Sequence, residues 1–231
     1  MVACRRGCGV WRGMAFGLAA AAVAAEPGPW RELFNGRDLE GWKRTEYVRP
    51  GEIRVLEADR PADAPPGAPA GPAIYLGAGD DLTGITYTNP APTMNYEVRL
   101  DAMRVSGGDF FCGLTLPYGT NCFTLVVGGW GGTIVGISSI DGLDASENET
   151  SLTRDFETGR WYSLSVRVMP GRIEVDLDGK QVIAADVAGR RVHMRPGEIE
   201  IAVPLAISTW RTAGAVRGIR LRERPPPPDG P

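Results

Sequence analysis

Apolar and polar residues alternate one by one through several short segments of this chain, and this period of two limits its fold more than any other feature. In the segment 94–105, Tyr96, Val98, Leu100 and Ala102 occupy every second position, with charged residues between them. Such alternation is typical of a strand with one buried and one exposed face. The same period predicts two further strands, with inward rows Tyr162, Leu164, Val166, Val168 and Ile173, Val175, Leu177.

Turn residues separate these segments at short intervals, which favours antiparallel pairing. Asp178-Gly179 is a two-residue hairpin signal that follows directly on one alternating segment. Shorter apolar runs bounded by Gly, Pro, Asn or Asp predict additional strands. These runs are 53–57, 73–76, 199–207 and 216–221.

The composition agrees with a fold made of strands. Among 231 residues there are 31 glycines and 19 prolines, and no long helical periodicity follows the N-terminus. Many short strands without a helix predict an all-β, single-domain β-sandwich of the jelly-roll type over residues 29–224, whose concave face would hold an extended ligand. Residues 60–72, rich in Pro, Ala and Gly, are predicted to form a surface loop, and residues 225–231 a Pro-rich tail.

The first 25 residues stand apart from this pattern. Arg5, Arg6 and Arg12 precede the apolar run 14–25, which ends in small residues of the kind a signal peptidase reads. About a dozen apolar residues are too few to cross ~30 Å of hydrocarbon as a helix. We therefore predict a signal peptide over residues 1–25 and a secreted or periplasmic protein, with an uncleaved anchor as the alternative.

The charge of the chain limits its partners. The net charge is −3, and no run of Lys or Arg forms a basic cluster. Nucleic acids and anionic membranes are recognised by such clusters. We expect no nucleic-acid partner and, after removal of the signal, no membrane partner.

Two cysteines would remain after cleavage, in an oxidising compartment. Cys112 and Cys122 flank LPYGTN, a sequence typical of a hairpin turn. Cross-strand neighbours in a hairpin can meet disulfide geometry, so we predict a Cys112–Cys122 disulfide. Two buried thiols that never meet are the alternative.

The segment GGWGGTIVG, residues 128–136, places five glycines around one tryptophan in a region of strands. A flat indole without bulky neighbours suits stacking on a sugar ring, and glycines let hydroxyl groups approach the backbone. Trp130, Gly129 and Gly131 are therefore predicted to bind substrate. In the alternative interpretation Trp130 fills the core and the glycines mark bulges.

Downstream, DGLDASENE carries four acids in nine residues. Asp141 and Asp144 are predicted to bind substrate and Glu147 to transfer a proton. The loop is also a candidate for Ca²⁺ or another divalent metal, although it lacks the regular spacing of a calcium loop. A solvated acidic loop is the third interpretation, and no other cofactor is predicted.

Asp109 is the remaining candidate acid. It follows Gly107 and Gly108 at the start of a central strand, from which it can reach the same cleft as Trp130. We predict a catalytic role in proton transfer, with a turn-capping aspartate as the alternative.

Several of these segments together resemble a known family. LFNGRDLEGW (33–42), GGDFFCGLTL (107–116) and the late pair WYSLSVRV and GRIEVDLDGKQV look like the 3-keto-disaccharide hydrolase domain, found in secreted bacterial proteins with a concanavalin-like jelly roll. The resemblance runs in order through most of the chain after the signal. It implies a saccharide or keto-sugar as the partner.

The chemistry that this resemblance implies needs one base and one polarising group. A ketone at C3 acidifies the C2 proton, a base removes it, the C1 oxygen leaves, and water adds to the resulting glycal. The leading hypothesis is therefore a carbohydrate-active hydrolase. A non-catalytic carbohydrate-binding or cell-surface module on the same fold is the alternative, and a purely structural envelope protein with a buried Trp130 is a third.

Overall fold

The computed structural model describes Met1 and residues 26–57 and 72–226. The predicted signal peptide, the Pro-rich loop apart from Pro72, and the last five residues of the predicted tail lie outside the described residues.

Short antiparallel strands account for the secondary structure of the described ranges, apart from one 3₁₀-helix at Glu198–Ile201. No helix in these ranges is long and apolar enough to cross a bilayer. The strands are β1 Arg31–Glu32, β2 Trp42–Arg44, β3 Ile53–Leu56, β4 Ala73–Leu76, β5 Leu82–Tyr87, β6 Tyr96–Ser106, β7 Cys112–Tyr118, β8 Asn121–Gly129, β9 Ile134–Ser138, β10 Leu152–Thr153, β11 Trp161–Met169, β12 Arg172–Leu177, β13 Lys180–Asp186, β14 Ala206–Trp210 and β15 Ala213–Glu223.

The strands form two antiparallel sheets that pack face to face. The eight-stranded sheet has the order β13-β12-β11-β6-β15-β4-β3, with β1 also paired to β15, and the seven-stranded sheet has the order β10-β9-β8-β7-β14-β5-β2. One large hydrophobic core contains side chains from both sheets. The predicted all-β, jelly-roll β-sandwich is confirmed.

The predicted inward rows are buried as expected. In β6 the side chains of Tyr96, Val98, Leu100 and Ala102 are at most 2% exposed, and the predicted rows of β11 and β12 lie in the same core. The turn after β12 has left-handed backbone at Asp178 (φ 53°) and Gly179 (φ 73°), as a type I′ hairpin requires.

The predicted strand at 199–207 is wrong over residues 199–205 and correct only for its last two residues. Glu198–Ile201 forms the 3₁₀-helix, and β14 begins only at Ala206. Pro204 has no N–H to donate to a ladder, which interrupts pairing just before β14. Glu200 also closes the preceding turn, because its Oε2 accepts a hydrogen bond from the Gly197 amide at 3.0 Å.

The predicted disulfide is wrong. Both cysteines are free, because Cys112 lies opposite Val127 and Cys122 lies opposite Pro117 in the β7–β8 hairpin. The two positions are five ladder rungs apart, about 17 Å, whereas a disulfide needs Cα atoms within about 7 Å. Burial raises the pKa of the Cys112 thiol to about 12.

Candidate functional site

A cavity of about 430 Å³ opens on the outer face of the seven-stranded sheet. A second cavity, of about 480 Å³, lies on the opposite outer face and is lined mainly by charged and hydroxyl side chains. Sites for organic ligands are mostly apolar with a few placed polar groups, which favours the first. We call it the aromatic cavity, after Phe110, Trp130 and Trp210 in its lining.

The floor of the aromatic cavity follows from the period of two along β8. Leu125 and Val127 point into the core, so Thr124 and Val126 point outward and line the cavity. Strands β5, β9 and β14 contribute one side chain each, from Leu82, Ser138 and Trp210.

One wall of the cavity is the segment 195–199, which leads into the 3₁₀-helix. A small hydrophobic cluster outside the main core holds this segment on the sheet. Ile199 packs there against buried side chains of Leu82 and Ala202, beside Phe110 and Trp210. The rings of Phe110 and Trp210 lie 6.5 Å apart.

Asp109 also lines the cavity and connects two loops. Its Oδ1 accepts a hydrogen bond from the Phe110 amide at 2.7 Å, and its Oδ2 accepts one from the Gly131 amide at 3.2 Å. Its own amide donates to Thr212 Oγ1 at 2.9 Å. The structure thus brings Asp109, Gly131 and Trp130 to one place, as the sequence analysis expected of Asp109 and Trp130.

Trp130 is exposed at the tip of the β8–β9 connection rather than buried in the core. Its side chain is 39% exposed, and its backbone is left-handed, with φ 49°. That region is uncommon for a residue with a Cβ, and such strain is concentrated at functional positions. The pairing of β8 with β9 is also shifted between Val127 and Gly129, which marks a bulge.

The glycines around Trp130 serve different purposes. A Cβ at Gly128 would lie 2.8 Å from Arg104 Nη2, and one at Gly129 would lie 2.6 Å from Val126 Cγ1. Nothing lies within 4 Å of the Cβ position at Gly131. Packing inside the protein therefore explains Gly128 and Gly129, whereas the backbone of Gly131 is open toward solvent.

Arg195 brings a positive charge to the cavity. Its guanidinium lies 5.7 Å from the centre of the Trp130 ring, and its Nη1 is 3.3 Å from Asp144 Oδ2. Ser138 and Ser139 donate hydrogen bonds of 3.1 and 2.9 Å to Asp144 Oδ1. Asp144 does not line the cavity itself, but it holds Arg195 at the edge.

The other acids of the predicted substrate loop point elsewhere. Asp141 pairs with Arg190 at 2.8 Å, and hydrogen bonds from Arg190 and the Arg191 amide lower the pKa of Asp141. Glu147 accepts a hydrogen bond from the Asp144 amide at 3.1 Å. Neither Asp141 nor Glu147 lines the aromatic cavity.

Asn148 organises this loop from inside. Its side chain is buried, and its Nδ2 donates to the carbonyl oxygens of Ile137 and Asp144, both at 2.8 Å, and of Leu143 at 3.1 Å. Its Oδ1 accepts from the amide and hydroxyl of Thr150.

The acidic loop does not fit a calcium site. Within the described ranges, no group of three or more His, Cys, Asp or Glu side chains could hold a metal ion. Three of the four carboxylates of the loop contact arginines instead, since Asp141 and Glu149 contact Arg190 and Asp144 contacts Arg195.

Several residues of the site were not predicted from the sequence. In β14 the side chain of Ile207 points into the core, so the period of two could have placed Ser208 and Trp210 on the outer face. Phe110 is adjacent to a residue that was predicted. Arg195 and Glu198 had no local signal, because both precede the strand that was predicted to begin at residue 199 and no motif marks either one.

The family of the chain follows from its agreement with a family model. The model of the 3-keto-alpha-glucoside-1,2-lyase-like domain matches residues 29–212, which is most of the chain. The chain belongs to the 3-keto-disaccharide hydrolase family. Among curated proteins, none matches this sequence.

Solved structures support the fold. Domain 4 of AbnA, a GH43 extracellular arabinanase from Geobacillus stearothermophilus solved with arabinotriose, is 15% identical, with 87% of this chain and 94% of that chain covered and a TM-score of 0.53. The Crh5 transglycosylase is 10% identical, with 89% and 90% covered and a TM-score of 0.52. At these identities the likeness shows a shared β-sandwich and does not transfer a site.

Proposed function

We propose that this protein hydrolyses 3-keto-glycosides at the aromatic cavity, with Asp109 as the base and Trp130 as the surface on which the sugar ring stacks. The observation that carries the proposal is the position of the Asp109 carboxylate, fixed through Gly131 beside the exposed indole. The signal-like segment 1–25 further supports action outside the cytoplasm.

The reaction needs only one strong proton acceptor. In the first step Asp109 takes the C2 proton, the electron pair of the C2–H bond forms a C1=C2 double bond, and the C1–O bond breaks. The departing C1 oxygen takes a proton from water and leaves as an alcohol, and Asp109 returns its own proton to water, so that protons balance over the cycle. In the second step water adds across that bond, with its hydroxyl on C1 and its proton on C2. Each Asp109 oxygen accepts one backbone N–H and has a lone pair left for the substrate.

Arg195 supplies the polarising charge in this proposal. Negative charge develops on the C3 oxygen as the C2 proton leaves, and a fixed cation stabilises it. Asp144, with the hydroxyls of Ser138 and Ser139, keeps the guanidinium at the edge of the cavity. The proposal does not use Glu147 or Asp141, because neither lines the cavity.

A non-catalytic saccharide-binding module is the second candidate. The observation in its favour is that both Asp109 oxygens already accept hydrogen bonds from backbone N–H groups. An aspartate that only fixes the Trp130 loop, residues 130–133 between β8 and β9, would make the same contacts. Aromatic platforms such as Trp130 and Trp210 serve binding without chemistry equally well.

The test is turnover of a 3-keto-glucoside by the protein and by Asp109→Asn, Trp130→Ala and Glu147→Gln. Loss of turnover in Asp109→Asn and a lowered kcat/KM in Trp130→Ala, with Glu147→Gln active, would support the hydrolase. An inactive wild type whose tryptophan emission still changes on adding sugar would establish the binding module instead. Loss of turnover in Glu147→Gln alone would contradict the assignment of the base.

A further inference from the structure

Among the described residues, Arg104 is a buried cation that forms no ion pair. It belongs to β6 of the eight-stranded sheet, yet it is only 7% exposed and its side chain reaches the loops of the other sheet. No carboxylate of the described ranges forms an ion pair with it. A buried charge without an ion pair destabilises the fold, so its presence at this position calls for an explanation.

The contacts of Arg104 provide that explanation. Its Nη2 donates to the carbonyl of Gly132 at 2.7 Å, and its Nη1 donates to the carbonyl of Phe156 at 3.4 Å. The guanidinium also lies 5.3 Å from the centre of the Phe111 ring. Arg104 therefore joins the Trp130 loop, through Gly132, to side chains at the end of the core.

Two glycines near Trp130, Gly128 and Gly132, lie so close to this guanidinium that neither position has room for a side chain. A Cβ at Gly128 would lie 2.8 Å from Arg104 Nη2, and one at Gly132 would lie 3.2 Å from the same atom and 3.0 Å from the Gly108 carbonyl. Both glycines also have left-handed backbone, at φ 78° and 101°. Glycine on both sides of Trp130 therefore leaves the space that the Arg104 guanidinium occupies.

Asp109 is within electrostatic reach of the same cation. Burial lowers the pKa of Arg104, while the negative charge of Asp109 acts in the opposite direction. Asp109 is itself bonded to Gly131, between Trp130 and Gly132. One guanidinium therefore acts on two residues that the proposed function uses, on Asp109 through its charge and on Trp130 through the Gly132 carbonyl.

We propose that Arg104 is the positioning residue of this site: it holds the Trp130 loop through the Gly132 carbonyl and so places Trp130 and Asp109 relative to each other. Its kinetic consequence rests on the proposed function. Its structural consequence, the position of Trp130, does not.

The experiment is ¹⁹F NMR of the protein labelled with 5-fluorotryptophan, in which Trp130 and Trp30 are assigned by their replacement with phenylalanine. Arg104→Met should shift or broaden the Trp130 resonance, because the loop loses its tether. Arg104→Lys keeps the charge without the two-pronged contact and should give an intermediate spectrum. Trp30, which lies against Arg99 and Arg222 on the other outer face, should stay unchanged.

Gly132→Ala is the positive control for displacement of the loop. It places a Cβ 3.2 Å from Arg104 Nη2 and 3.0 Å from the Gly108 carbonyl and strains a backbone at φ 101°, so it should move the Trp130 resonance and leave Trp30 in place. If circular dichroism shows that Arg104→Met does not fold, Arg104→Lys decides the matter. A Trp130 resonance that stays unchanged in folded Arg104→Met, or in Arg104→Lys where Arg104→Met does not fold, would overturn the proposal.

Turnover separates this inference from the proposed function. If the wild type hydrolyses a 3-keto-glucoside, kcat/KM of Arg104→Met should fall by about tenfold or more, as expected for a misplaced reacting group. If the wild type is inactive, the proposed function fails, while the ¹⁹F spectra still decide whether Arg104 positions Trp130.

Discussion

The two outer faces of the sandwich each carry a hydrogen-bonded carboxylate, and the two carboxylates have different kinds of partner. On the eight-stranded sheet, the Glu97 carboxylate has no exposed surface and is bonded by Arg99, Arg222 and Arg224, with a further hydrogen bond from Ser165. On the side of the seven-stranded sheet, the carboxylate of Asp109 accepts hydrogen bonds only from backbone N–H groups, and it lines a cavity together with Phe110, Trp130 and Trp210.

This difference in partners predicts different roles for the two carboxylates, stability for Glu97 and ligand binding or catalysis for Asp109. A carboxylate whose hydrogen-bonding capacity is filled by arginines is stabilised in the fold and has little left to offer a ligand. A carboxylate held only by backbone amides keeps its charge available at the surface. We therefore expect substitutions on the first face to change the free energy of unfolding and substitutions on the second to change activity.

The largest effect is expected at Asp109. Asp109→Asn removes the proposed base but keeps an oxygen for one backbone N–H, so kcat/KM should fall by about 10³-fold, or about 4 kcal/mol, with little change in Tm. Steady-state kinetics on a 3-keto-glucoside, together with thermal unfolding, measures both. A large fall in Tm with kcat unchanged would make Asp109 a structural residue like Glu97.

Glu97→Gln should produce the reverse result. It removes the charge that three arginines share and should lower the free energy of unfolding by about 3 kcal/mol. Urea denaturation measures this change, with turnover per folded molecule as the control. If turnover fell while stability did not, the assignment of the two faces would be reversed.

Low pH should remove the contribution of Glu97 to the free energy of unfolding. Burial favours a higher pKa for this carboxyl, but hydrogen bonds from Arg222, Ser165 and Arg99 outweigh it and lower the pKa of Glu97 to about 2. Because the folded pKa lies below the unfolded value of about 4.3, the stabilisation is complete above that value and is lost as the pH falls toward 2. The difference in stability between wild type and Glu97→Gln should narrow over this window. A difference that stayed constant from pH 5 to pH 2.5 would contradict the prediction.

The smallest effect is expected at Trp130. Trp130→Ala should weaken sugar binding by about tenfold, or about 1.4 kcal/mol, because the stacking surface is lost. Isothermal titration with a saccharide that the wild type binds measures it. Trp30→Ala is the matched control, since its indole lies among arginines on the other face. Equal losses in both variants would mean that the sugar does not select the aromatic cavity.

The sequence was sufficient for the sandwich because the period of two is a local property. Tyr96, Leu164 and Val175 are buried for the reason that the alternation indicates. The segment 199–207 shows the limit, since its apolar residues also suit a strand, and only Pro204 and the Glu200–Gly197 contact redirect it.

Other parts of the site depend on contacts between distant segments. Arg195 reaches Trp130 and Asp144 from a separate loop, and Arg104 reaches Gly132 from the other sheet. Contacts between residues so far apart in the chain cannot be predicted from the spacing of residues in the sequence. The predicted disulfide failed for a related reason, because a hairpin turn fixes the register and this register separates Cys112 from Cys122.

The buried amide of Asn148 limits how this protein can be produced. Asn148-Glu149-Thr150 has the form of an N-glycosylation sequon. Yet the amide nitrogen of Asn148 already donates to the carbonyl oxygens of Ile137, Leu143 and Asp144. A glycan on that nitrogen has no room in the folded loop, so a chain glycosylated there before folding, as in a eukaryotic secretory pathway, could not complete this sandwich.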